Sequence, residues 1–198
     1  MKTIHLIFHA HLDPIFLWPW TAGLDETLAT CRSACDRLDA HPDVRFSQGE
    51  AWVYQQVERL DPVLFARIRA HVAAGRWELA GGWWMQPGCN QPSGFAWRKH
   101  IALGQAYFQQ RFGQVPRIVF NPDSFGHAAT LPGMMHDAGQ THYVMGRPEK
   151  RTARAFTEET QESGDESPAA PEIARLTVDQ MRELADRLAT EIARRGGQ

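Results

Sequence analysis

The chain has no long apolar run, almost no net charge and few cysteines, and each shortage removes a class of function. No stretch of its 198 residues approaches the roughly 20 apolar residues that a membrane-spanning helix requires, so no membrane partner is expected. The apolar run in Met1–Phe8 is too short for the core of a secretory signal, and histidines interrupt it soon after. A net charge of −2, with both signs interspersed, offers no basic face to nucleic acid or to an anionic membrane. The three cysteines, Cys31, Cys35 and Cys89, are an odd number, and no second pair completes a zinc knuckle. Reduced thiols lining the core of a cytoplasmic chain are the expectation.

Apolar and aromatic residues are plentiful. A hydrophobic share of 43% is enough for one medium domain with a genuine core, and seven tryptophans supply flat surfaces for packing or for stacking on sugar rings. Thr3–Phe8, Val44–Phe46, Trp77–Ala80, Ile118–Phe120 and His142–Met145 read as short strands. Between them run helical patterns. Leu24, Leu28, Cys31, Cys35 and Leu38 share one helix face; Val53, Val57 and Leu60 mark a second helix. Asp61-Pro62 caps a third helix, with Leu64, Ile68 and Val72 on its buried face and Gly75 at its end. Ser93 caps a fourth, with Trp97, Ile101, Phe108 and Phe112 before Gly113, and a short helix near Leu131–Ala138 ends at Gly139. Such alternation predicts an α/β fold with parallel strands and right-handed crossovers, either an open sheet or a barrel. Beyond residue 148 the character changes. Residues 149–172 are charged and poor in large apolar side chains, as a disordered linker is. Residues 173–198 carry an amphipathic helix marked by Leu176, Met181, Leu184, Leu188 and Ile192.

In parallel α/β folds the loops after strand C-termini build the site. Two polar clusters fall there. His9-Ala10-His11-Leu12-Asp13-Pro14 follows the first strand, and alternation along an extended segment puts His9, His11 and Asp13 on one side. Imidazole with carboxylate suits Zn²⁺, although a strand-end histidine and a turn-capping aspartate explain the same string. Asn121-Pro122-Asp123-Ser124-Phe125-Gly126-His127 follows the fourth strand; it fits an Asx turn, or an Asp123 aimed at the same mouth as His11 and Asp13. His127 fits a supporting role or a helix start better than a ligand. Trp83-Trp84 and Trp18-Pro19-Trp20 fit sugar stacking and core packing about equally. Glu50 fits helix capping better than catalysis.

Taken in order, these motifs resemble glycoside hydrolase family 38. The resemblance rests on His9–Pro14, Gly49-Glu50-Ala51-Trp52, Gly75-Arg76-Trp77-Glu78 with Gly81-Gly82-Trp83, Cys89-Asn90-Gln91-Pro92-Ser93-Gly94, and Pro122–Pro132. It covers about the first three-quarters of the chain. It implies that residues 1–148 are the N-terminal part of an α-mannosidase catalytic domain with an irregular parallel (β/α) barrel of the glycoside hydrolase/deacetylase type. By the family's pattern His11 and Asp13 are zinc ligands, and Asp123 is both zinc ligand and nucleophile. Phe16, Trp83, Trp84 and Arg147 are then expected near an α-mannoside oligosaccharide. His9 matches the motif without serving as a ligand. The implied reaction is two-step hydrolysis with retention. Gly88 and Phe95 stand where many relatives carry acidic residues.

The family's fourth ligand, a histidine, and its acid/base aspartate come further along than Arg147, and residues 149–198 do not match that continuation. Turnover is therefore expected only with a complementing partner. An incomplete barrel would leave an edge strand near Val144 open to self-association, as would the tail helix. Two other functions compete. One is metal-dependent carbohydrate deacetylation; the other is a non-catalytic protein acting through its C-terminal helix.

Overall fold

The computed structural model describes residues 8–146. Within them strand and helix alternate in the expected order: β1 (Phe8–His9), α1 (Trp20–Ala40), β2 (Phe46–Gln48), α2 (Ala51–Leu60), α3 (Pro62–Ala73), β3 (Trp77–Leu79), α4 (Gly94–Phe112), β4 (Ile118–Asn121), α5 (Leu131–Asp137) and β5 (His142–Met145). The linker, the tail helix, Arg147 and most of the first expected strand lie outside the described residues.

Local chemistry sets the helix ends. Asp61 Oδ1 accepts the Leu64 N–H at 2.9 Å, with Pro62 at the first position of α3. Ser93 accepts the Ala96 N–H at 3.3 Å, and α4 stops at Gly113, whose φ of 71° disfavours any residue with a Cβ. α1 begins a turn before its first buried residues because the Pro19 carbonyl accepts the N–H groups of Ala22 and Gly23. The second strand lies two residues later than its apolar run predicts. Val44 N–H bonds back to the His41 carbonyl in a turn, and the Val44 carbonyl accepts from the Arg76 guanidinium. Pairing instead runs through Phe46, Ser47 and Gln48, which register with Trp77, Glu78 and Leu79.

All the strand pairs are parallel. β1, β2 and β3 form one sheet in that order, and β4 and β5 form another. The Gly81 N–H donates to the Ile118 carbonyl at 2.8 Å, joining the end of β3 to the start of β4. Neighbouring strands lie about 4.8 Å apart, so β1 and β4 would be well separated on a flat sheet. The His9 and Phe120 rings nevertheless sit 3.9 Å apart between centroids, so the strands curl toward one another. Of these strands β5 pairs with β4 alone among the described residues.

Helices cover the outside of this curl and bury two cores. Cys31, Cys35 and Leu38 of α1 pack with Val53, Tyr54, Val57, Ile68, Trp77 and Phe108. There the Tyr54 hydroxyl donates to the Gln48 carbonyl (2.8 Å) and accepts from Trp77 Nε1 (2.9 Å), so neither polar group is buried unsatisfied. The second core gathers Trp83, Trp97, Ile101, Val119, Leu131, Met134 and Met135 between α4, β4 and α5. Cys31, Cys35 and Cys89 are all free and buried, in keeping with core-lining thiols.

Candidate metal centre and cleft

Because the strands are parallel, the loops after β1, β2, β3 and β4 emerge on one side. There His11 Nε2 lies 3.2 Å from Asp13 Oδ1 and 3.6 Å from Asp123 Oδ2. One donor atom from each residue falls within 4.8 Å of the others. The three side chains are partly exposed to a cleft of about 360 Å³. Two carboxylates brought this close repel each other, and a divalent cation between them would remove that repulsion. An imidazole nitrogen with two carboxylate oxygens is a donor set that a borderline-soft divalent ion accepts.

The alternation that groups His9 with these donors stops at the strand end. His9 Nδ1 faces Ser47 Oγ at 3.2 Å and its ring lies on Phe120. Burial pushes its pKa down to about 4, against a hydrogen bond to the Ser47 backbone and with the charge of His11 adding to the effect. His9 is thus a neutral packing group inside the curl. His127, expected in a supporting role, has its Nδ1 2.6 Å from the Tyr143 hydroxyl.

That hydroxyl belongs to a network that braces the Asp123 turn. Buried Asn121 reaches Cys89 Sγ (2.9 Å) and the Tyr143 hydroxyl (2.6 Å) through its amide nitrogen. Ser124 Oγ lies 2.8 Å from both Asn121 Oδ1 and the Pro87 carbonyl. Burial raises the Cys89 thiol's pKa, but hydrogen bonds with His127, Ser124, Tyr143 and Asn121 outweigh it and leave the net shift downward. On the other wall, a Cβ on Gly23 of α1 would lie 2.2 Å from the Pro14 carbonyl oxygen, so the helix closely approaches the loop that carries His11 and Asp13. Gly23→Ala must displace Pro14, next to Asp13. A divalent cation held by His11, Asp13 and Asp123 would then bind about tenfold more weakly, the low end of what disturbing a ligand's support costs. Isothermal titration with Zn²⁺ checks this, and an unchanged affinity would refute the anchoring.

Two cleft residues are placed in ways that the motifs did not suggest. Gln86 ties the loops together: with its amide oriented to satisfy its neighbours, its oxygen accepts the Asp123 N–H (2.8 Å) and the Ser124 N–H (3.2 Å). Its nitrogen then reaches His11 Nδ1 at 3.2 Å. A lone glutamine after Trp-Trp-Met has no spacing that announces such a role. Glu50, expected to cap a helix, occupies the N-cap position of α2 without making any side-chain cap bond. The residue lines the cleft instead and is 8% exposed, with its Oε2 buried. Its φ of 66° is the one positive value on a non-glycine among the described residues, and such a conformation costs about 1–3 kcal/mol. Burial pushes its pKa up to about 8, against a hydrogen bond from the Gln86 backbone and helped by the charge of Asp13.

The residues expected near a sugar are placed differently from one another. Trp83 is a core residue: it is 2% exposed, packs edge-on against Trp97 and donates from Nε1 to Gln140 Oε1 at 3.0 Å. It has no face left for a sugar, because α4 and Gln140 take both its apolar and polar parts. Trp84, half-buried, packs against the first core and edge-on to Tyr107, and the cleft lining begins at the next residue, Met85. Phe16 is 64% exposed and stacks edge-on with Trp18 on the loop that continues from Pro14. Trp18 and Trp20 are exposed as well, and Trp18 Nε1 donates to the Asp13 carbonyl at 3.2 Å.

Comparison with known proteins places this geometry. The model of the glycosyl hydrolases family 38 N-terminal domain matches residues 1–164. Human alpha-mannosidase 2C1 is 30% identical over 142 residues, which are 72% of this chain and 14% of that protein. Alpha-mannosidase G of Dictyostelium discoideum is 29% identical over 136 residues, 69% of this chain and 12% of its own length. The chain therefore spans about a seventh of the curated relatives it matches. Among solved structures, an alpha-mannosidase from Enterococcus faecalis V583 superposes with a TM-score of 0.64 at 18% identity, over 70% of this chain and 16% of that one. A 4-alpha-glucanotransferase from Thermococcus litoralis gives 0.61 at 16% identity, over 72% and 22%. At these identities the structural likenesses speak for the fold alone. The family model and the sequence relatives together show that the chain belongs to glycosyl hydrolase family 38.

Proposed function

We propose that this chain supplies the nucleophile side of a zinc-dependent, retaining α-mannosidase site, within a parallel barrel that its curled strands begin. One observation carries the reading: His11 Nε2 faces a carboxylate oxygen of Asp13 and one of Asp123 at 3.2 and 3.6 Å, at the mouth of one cleft. The relatives' names supply the substrate class, a terminal α-mannoside. His11, Asp13 and Asp123 would hold the zinc, which when bound would grip neighbouring sugar hydroxyls and favour distortion of the ring. Asp123 acts as nucleophile: its carboxylate attacks the anomeric carbon while a second carboxyl protonates the leaving oxygen, whose bond to that carbon breaks. Water then releases the sugar with its configuration retained. Gln86 and the Asn121 network keep the Asp123 turn rigid, so the carboxylate does not have to be oriented at the moment of attack.

The test is hydrolysis of an aryl α-mannoside with Zn²⁺ present, by the chain alone and combined with the remainder of a relative's catalytic domain. Turnover is expected in the combined sample, with the α-anomer of mannose appearing first by proton NMR. Asp123→Asn should lower it by at least about a thousandfold, as removal of an essential nucleophile does. Robust turnover that survives Asp123→Asn, or β-mannose formed first, would overturn the reading.

A further inference from the structure

Glu50 combines three features that no structural duty explains. Its backbone holds φ 66° and ψ 102°, a conformation glycine would take without strain. Its side chain gives α2 no capping bond. Its Oε2 is buried and has no hydrogen-bond partner, while the carboxyl's one supporting bond comes from the Gln86 N–H. A buried polar atom left unpaired works against folding, and a strained backbone does so again at the same residue. Such costs collect where a ligand completes the bonding.

Position narrows the ligand. Glu50 lines the same cleft as His11, Asp13 and Asp123. It stands outside the group of donors close enough to share one cation, so it is not a fourth metal ligand in this geometry. A buried carboxyl on a residue that lines the cleft, beside but not within the group of three donors, suits a neutral hydroxyl. A carboxyl there can accept from such a group whatever its protonation state. We propose that Glu50 is a sugar-contacting residue, whose unpaired Oε2 hydrogen-bonds one hydroxyl of the pyranose held in the cleft. This rests on the mannosidase reading above for the class of ligand. It assigns the contact to a residue whose sequence context reads as a helix cap.

The experiment compares wild type with Glu50→Gly and Glu50→Gln. Each is titrated first with Zn²⁺, then, zinc-loaded, with methyl α-mannoside and its four monodeoxy analogues, followed by protein NMR. Glu50→Gly removes the carboxyl and relieves the backbone, so it is expected to melt higher than wild type and to bind zinc within about threefold of it. Its affinity for methyl α-mannoside should be at least tenfold weaker. One deoxy analogue should bind wild type as weakly as the parent sugar binds the variant, and should bind the variant no worse than the parent does, as a direct contact requires. Glu50→Gln, which keeps a donor and an acceptor, should recover part of the loss. A lower melting point for Glu50→Gly would show a structural role and overturn the assignment. So would unchanged mannoside affinity, or a wild type that binds zinc but no mannoside; in those cases the metal reading stands. A wild type that takes up neither zinc nor mannoside sinks the underlying reading itself.

Discussion

Gly104→Ala is expected to lower the unfolding free energy by about 3 kcal/mol, the upper part of the range for forced overpacking. The direction opposes helix propensity, since alanine in a helix interior is favoured over glycine by about 1 kcal/mol. Gly104 lies inside α4, where that helix crosses the Trp83 backbone. A Cβ there would stand 2.3 Å from the Trp83 carbonyl carbon and 2.7 Å from its Cα and oxygen. These are backbone atoms, and their segment is pinned: the Ala51 N–H donates to the Trp83 carbonyl, and the Trp52 N–H to that of Trp84. The new methyl group must therefore push α4 off the second core, where Trp97 and Ile101 of the same helix meet Trp83. Gly133→Ala in α5 is the control, because a Cβ at that position meets nothing within 4 Å. It should leave stability unchanged or raise it by up to about 1 kcal/mol. Urea denaturation of both variants checks the pair, and equal midpoints would refute the close approach.

That contrast shows which parts of the fold a sequence displays. Asp61-Pro62, Ser93 and Gly113 announce helix ends because capping is settled within four residues, and the structure places all of these caps as expected. Strand bounds depend on partners distant in the chain. Val44 reads as strand by its apolar side chain, yet its carbonyl goes to Arg76, while polar Ser47 and Gln48 are drawn into the ladder by β3. Gly104 resembles any helix-interior glycine until the position of Trp83 is known. At the site, the meeting of His11, Asp13 and Asp123 was legible because polar residues at the ends of parallel strands converge on one mouth. Glu50 and Gln86 were not. Burial, a positive φ and an orphaned oxygen are tertiary facts, and neither residue type nor spacing encodes them. Trp83 shows the converse difficulty: the flat apolar ring that suits a sugar suits a core equally well, and only the neighbours Trp97 and Gln140 decide between them.

At the mouth of the cleft one comparison separates two histidines that the motif sets side by side. If zinc binds as proposed, His11→Ala should remove most of the rise in thermal stability that it brings, while His9→Ala should keep it. The first loses the nitrogen that faces both carboxylates, leaving two oxygen donors for the cation. Saturating wild type at a hundred times its dissociation constant stabilises it by about 2.7 kcal/mol, and a hundredfold loss of affinity at the same zinc concentration reduces this to about 0.4 kcal/mol. His11 is partly exposed, so its removal without zinc should cost little folding stability. His9 has the opposite profile. Its ring fills the inside of the curl against Phe120 and reaches Ser47, so truncation opens a cavity and removes one of the hydroxyl's two bonds, the one to the Phe8 carbonyl remaining. A loss of about 2–3 kcal/mol is expected with or without zinc, and the zinc-induced increment should match wild type. Thermal melts of the three proteins in chelator and in Zn²⁺ give all the required differences. If His9→Ala removed the increment as completely as His11→Ala, the cation would lie on the strand side of the loop, and the three-donor centre would have to be redrawn.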